Sequence, residues 1–378
     1  MKARRDPVLD VVRILAFFTV ICVHFFLNCG FYANPVGGKG MYVMVLCRTA
    51  FMVCVPLFIL LTGWLSHTKT LTPRHYKGVI RIVTGWFLSS CLCTLFIHCY
   101  LSGAGVTGQS LWDCVRDFRG APYGWYVEMH FGLFLLIPFL NLTYHGLQTK
   151  KRKLALIVTL LVCTALPPIL NSFSFESLSW WAQPSQSYVY EKLLPGWWMG
   201  IYPLTYYFIG AWLSEYRPKV KPLPVLLLLV ANVVLAGSFN FWRSLGTIFS
   251  YGPWQDWGSL QNVVSSVLVF LLVTCLDGSG WSDRVKKVLS YLSGLTLSAY
   301  LVSYIFDSLF YPHLNAAVEA VTHRLLWFPV IVPLVAVCSL ALAAAVEGVN
   351  GVLVRLIDRA GTHILPSVFG KPAEKPEN

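Results

Sequence analysis

Ten apolar stretches run through these 378 residues, each about as long as a helix must be to cross the hydrocarbon core of a bilayer. They lie near 9–29, 43–65, 79–101, 124–144, 154–171, 197–215, 222–241, 259–277, 288–310 and 326–347. A chain inside lipid must satisfy its own backbone N–H and C=O groups, so such stretches have to be helices. Charged residues make up 12% of the chain, about half the usual share for a soluble domain. The expected fold class is therefore all-α: a polytopic membrane helix bundle of about ten transmembrane helices over residues 1–350. A cytoplasmic C-terminal tail is expected over 351–378.

Basic residues set the expected orientation. With the N-terminus inside, every inner segment carries a cluster. These are Lys2, Arg4 and Arg5; Lys69, Arg74, Lys77 and Arg81; Lys150, Lys151, Arg152 and Lys153; Arg217, Lys219 and Lys221; Arg284, Lys286 and Lys287; then Arg355, Arg359, Lys371 and Lys375. The outer loops and span ends hold only Lys39, Arg48, Arg116, Arg119, Lys192, Arg243 and Arg324. A bias of roughly three to one places both termini in the cytoplasm. The net charge of +12 follows from this bias and suits anionic lipid on the inner leaflet, which leaves no reason to expect nucleic acid as a partner. The basic start lacks a small-residue cleavage site and reads as part of a retained first span.

That first span holds Arg13 and His24. Ionisable side chains at membrane depth are costly, which marks them as functional candidates. Eleven residues bring the helix round three turns plus about 20°, so the two share one face, roughly 16 Å apart along the axis. Snorkelling of Arg13 and plain packing of His24 are the alternatives. The eleven cysteines show no zinc spacing, although Cys29, Cys99 and Cys114 lie toward the outer side where thiols can pair. No phosphate-binding glycine loop is present.

Several segments converge on one family. Asp10-x-x-Arg13, ten residues and His24 resemble the opening of the membrane acyltransferase 3 family. Arg48 through Val55-Pro56-Leu57-Phe58 to Thr62-Gly63 resembles its second-span motif, with Thr62 in place of Ser. Trp125-Tyr126 leading to Pro138 is similar to its fourth span. Leu297-Ser-Ala-Tyr-Leu-Val-Ser303 is similar to its late segment, with Ser303 where the family has His. The resemblance implies a bacterial inner-membrane O-acyltransferase. Its donor would be cytosolic acyl-CoA, typically acetyl-CoA, used as a substrate with no tightly bound cofactor. Its acceptor would be an extracytoplasmic glycan or glycolipid.

Acyl transfer needs a base for the acceptor hydroxyl, stabilisation of a tetrahedral oxyanion, and a hold on a large anionic carrier. His24, buried away from carboxylates, is the expected base, with an acyl-histidine relay as the variant. Arg13 would hold the thioester carbonyl or a carrier phosphate, oriented by Asp10 three residues before it. Glu128 is the expected third catalytic group, paired with His24 or Arg48 or steering the acceptor, unless it is a plain interfacial carboxylate. Arg48, Trp125 and Tyr126 are acceptor-side candidates. Lys77 and Arg81, four apart on one helix face, are candidates for the coenzyme A phosphates, though the positive-inside pattern explains them equally. His130 is expected at the interface. Pro56 and Gly63 are expected to bend or open the second span. Trp180, Trp181, Trp197, Trp198, Trp254 and Trp257, with Tyr188 and Tyr190, read as an aromatic belt.

Two other classes fit parts of the pattern. Ten spans interrupted by Pro and Gly also suit a transporter or flippase, but no internal repeat pairs the halves and the candidate charges concentrate in spans 1 to 4. A non-catalytic assembly subunit of a polysaccharide pathway is the third. The charge pattern predicts that a fluorescent protein fused after Asn378 glows while alkaline phosphatase fused there stays inactive; the opposite pair of readings reverses the orientation.

Overall fold

The computed structural model describes residues 5–118, 120–186 and 190–360. Lys2, Arg4, Arg119, Tyr188, Lys371 and Lys375 lie outside the described residues. Eleven long helices carry the architecture: α1 (Pro7–Asn28), α2 (Gly38–Phe51), α3 (Cys54–Ser66), α4 (Pro73–Leu95), α5 (Trp125–Gly146), α6 (Lys150–Thr164), α7 (Tyr202–Tyr216), α8 (Pro222–Ser244), α9 (Leu260–Thr274), α10 (Asp283–Ala317) and α11 (Phe328–Ala360). Extended pairing among the described residues is limited to two isolated bridges, Pro35 to Ile248 and Val36 to Leu245.

Nine helical segments of the described residues are long and apolar enough to cross a membrane. The tenth expected span, near 197–215, is the shorter α7, 15 residues entered through a 3-10 turn at Trp197–Ile201. It is sheltered rather than lipid-facing: Tyr206, Tyr207 and Ala211 are fully buried. By contrast α8 exposes Leu227, Leu228 and Leu235, a greasy face suited to lipid. At the other end of the chain, α11 runs through the expected domain edge at 350 and continues to Ala360.

The second expected span is broken. α2 stops at Phe51 and α3 begins at Cys54, because Pro56 has no N–H to offer the carbonyl four residues back. Gly63 plays a different part from the expected bend. A Cβ there would collide with the Tyr207 carbonyl of α7, and one at Gly210 would collide with the Leu60 carbonyl of α3. The two glycines let the helix backbones touch, as small residues do where helices cross in membranes.

α1 is the central post. Asp6 caps it by accepting from the Val8 N–H at 3.0 Å, and α1 packs against α3, α10 and α11. A cavity lined by Asp6, Trp64, Arg217 and Thr274 gathers the start of α1 with the ends of α3, α7 and α9, as alternating helix directions require. All eleven cysteines are free thiols, and of the three that could pair on the outer side, Cys114 donates its thiol to Thr94 Oγ1 at 3.1 Å.

The α3–α7 contact predicts that Gly63→Val lowers the melting temperature in detergent strongly, overpacking costing about 1–3 kcal/mol or more. Gly132→Ala, on an exposed face with open space around it, should leave it unchanged or slightly raised.

Candidate active site

His24 lies one turn from the end of α1 and lines a cavity of about 570 Å³. Its Nδ1 faces Asp307 Oδ2 of α10 at 3.4 Å. The pair is close enough for an ion pair once the ring is protonated, yet too poorly aligned for a hydrogen bond, since Nδ1 has no partner. Asp307 is 1% exposed. Its Oδ2 accepts from the Tyr123 hydroxyl at 3.0 Å, and its Oδ1 has no partner. The Tyr123 ring packs on the imidazole, centroids 3.9 Å apart. Tyr123 is tied in turn, its hydroxyl accepting from Asn28 at 3.3 Å and its carbonyl accepting from the Tyr300 hydroxyl.

This overturns the expectation of a histidine remote from carboxylates. A carboxylate sits at its Nδ1, while Nε2 has no protein partner and is not among the sealed atoms, so it is the nitrogen left to the cavity. One nitrogen toward an acid and the other toward open space is the arrangement of a general base with its orienting group.

Arg13 opens onto a second cavity, of about 260 Å³, together with Lys69, His130, Thr62, Ser66 and Thr296. Its Nη1 donates to Ser293 Oγ at 3.0 Å. Three side chains, Phe58, Tyr126 and Tyr300, line both cavities. A wall of rings therefore divides the shared face of α1 into an Arg13 side and a His24 side. His130, expected at the interface, instead stacks on Tyr126 inside the wall, centroids 5.6 Å apart. Five hydroxyls or cations beside an apolar wall suit a chain that carries both an amide-rich arm and negative charge.

The remaining candidates divide. Arg48, Trp125 and Tyr126 all line the His24 cavity. Trp125 stacks on Trp257, centroids 4.5 Å apart, so Trp257 belongs to the site rather than to a belt. Trp180 and Trp254 also leave the belt, lying 4.8 and 4.4 Å from the Arg243 guanidinium carbon. Asp10 does not orient Arg13. It is gripped by Arg5, whose Nη2 and Nε reach its carboxylate at 2.5 and 2.9 Å, because Arg5 can fold back over the first turn while Arg13 turns toward Ser293. Glu128 is exposed on α5 and lines neither cavity; the helix turn that buries Tyr126 and Val127 carries it outward. Arg81 is spent on Glu347 at 2.9 Å and Lys77 is exposed, and neither reaches the Arg13 cavity. Lys69 does.

The sequence reading missed Asp307, Tyr123 and Lys69. Asp307 carried its own signal, an acid inside an apolar span. Tyr123 precedes its helix and carried none.

The model of one protein family, described as an acyltransferase domain, matches residues 6–345. No curated protein and no solved structure matches the chain.

The geometry predicts that Asp307→Asn lowers the rate of acyl transfer by about 10- to 100-fold with the fold retained, less than the roughly 100- to 10,000-fold that a general base itself supplies. Glu128→Gln should change it by less than about twofold. The rate of thiol release from an acyl-CoA checks both.

Proposed function

As a member of the acyltransferase 3 family, the chain is a membrane acyltransferase, and we propose that it moves an acetyl group from cytosolic acetyl-CoA to a hydroxyl of an extracytoplasmic or lipid-linked glycan. The protein would sit in the bacterial inner membrane with both termini in the cytoplasm. Family membership favours chemistry over the carrier reading. The observation that carries the proposal is the His24–Asp307 pair on a cavity that shares an aromatic wall with a second, cationic cavity.

In this reading the Arg13 side receives the donor. The pantetheine arm lies along the Arg13 cavity, where Lys69 and Arg13 supply charge and hydroxyls meet its amides. The acetyl thioester reaches past Tyr126 and Tyr300 to His24. The acceptor enters the larger cavity over Trp125 and Trp257, whose stacked rings offer a flat apolar face to a sugar. His24 Nε2 takes the proton from the acceptor hydroxyl as its oxygen bonds the thioester carbon. The carbon–sulfur bond then breaks, and the leaving thiolate takes the proton back from the imidazolium. Asp307, facing Nδ1, balances the ring's transient positive charge.

Mass spectrometry of envelope glycans checks the proposal in cells with the native gene, with His24→Ala, and without the gene. One acetyl mass should be present in the first and absent from the other two. Identical glycan profiles in all three would overturn it.

A further inference from the structure

Arg48, in the last turn of α2, is 1% exposed and lines the His24 cavity. A guanidinium stays charged at any working pH, and burying that charge without a counter-charge is expensive. Even so, no described carboxylate forms an ion pair with Arg48, and no Asp or Glu is among the described residues lining its cavity. Its partners are neutral. Nε donates to the Tyr32 hydroxyl at 2.6 Å and Nη1 to Gln255 Oε1 at 3.0 Å. The rings of Phe249, Tyr251 and Tyr32 stand 4.7, 5.3 and 5.6 Å from its Cζ.

These partners fix the fork without ion-pairing it, and the carboxylate that feels its charge, Asp256, stays outside salt-bridge distance. Gln255 is itself immobilised, its amide nitrogen donating to the Ser250 carbonyl and its own carbonyl accepting from Asn262 at 3.0 Å. Nη2 is buried with no partner at all. The acid next along the chain, Asp256, lines an adjoining cavity of about 340 Å³ instead, across Tyr251, which lines both.

We infer that Arg48 is an oxyanion receptor and that the acceptor carries a negatively charged group, a carboxylate or a phosphate ester, close to the hydroxyl that is acylated. A guanidinium fixed by neutral groups, with no carboxylate in ion-pair reach and one buried nitrogen left without a partner, has hydrogen-bonding capacity that the oxygens of an anion can fill. A neutral sugar would leave its charge uncompensated. Asp256 sets the register, because its own charge repels an acid from the adjoining cavity and keeps the anionic group on the Arg48 side. The inference rests on the proposed transfer only in naming the occupant as the acceptor.

Binding to the purified full chain in lipid nanodiscs tests it, using matched soluble probes. Methyl glucuronide is compared with methyl glucoside, and glucose 1-phosphate with glucose, each at low and high salt. At low salt one acidic probe should bind at least about tenfold tighter than its neutral mate, and the gap should narrow as salt screens it. The preferred acid identifies the source of the charge, a sugar acid or a phosphorylated carrier. Arg48→Gln should abolish the gap, Arg48→Lys should restore part of it, and Glu128→Gln, at a residue that lines neither cavity, should leave it intact. Equal binding of acidic and neutral probes to the native chain overturns the inference without any variant. So does a loss in Arg48→Gln that falls equally on both members of a pair. Binding needs no turnover, so an acid preference in a chain that never releases coenzyme A would sink the proposed reaction and spare the receptor.

Discussion

A buried imidazole facing a buried carboxylate across two helices is the contact on which the rest of this bundle turns. Neither group is tolerable at membrane depth alone. Together they tie the end of α1 to the middle of α10, and Tyr123 closes the arrangement from the loop before α5. The same rule places the other interior charges. Lys153 meets Glu215 at 2.7 Å, and Tyr144 donates to the same carboxylate. Arg324 is absorbed by main-chain carbonyls, Cys29 and Val318 among them. Arg48, like Arg324, is held only by neutral groups, but one of its nitrogens finds none, and that is where the inferred oxyanion would bind.

Helix packing serves the same end. The glycine crossing of α3 on α7 draws two backbones together on one side of α1. The break at Met52 and Val53, forced by Pro56, turns α2 away from α3. Between those two features lies room for the larger cavity, walled by residues of both halves of the broken span, from Arg48 and Met52 to Val55 and Phe58.

Periodicity and hydropathy made the bundle legible, since the bilayer leaves few alternatives to helices. The span near 197–215 forms as the short α7, which is wrapped by protein and need not match the hydrocarbon thickness. The Arg13–His24 face was legible for the same reason, as spacing along one helix is fixed by geometry. Partners across helices were not. Nothing local says that Asp10 closes on Arg5 rather than Arg13, since both cations lie within a turn or so of it. Lys77 and Lys69 look equivalent in the sequence, and only the packing of α4 and α5 puts one outside and the other on the cavity. Asp307 sits 283 positions after His24 in the chain, and the sequence held no sign that the two would meet.

The wall of Phe58, Tyr126 and Tyr300 has a bearing on bioenergetics. An enzyme that joins reactants from opposite compartments risks short-circuiting the ion gradient its cell lives on. Here the two hollows are parted by the rings of Phe58, Tyr126 and Tyr300. In the proposed transfer, the arm that parts these rings must also fill the gap it makes, or ions would leak across the membrane with every turnover.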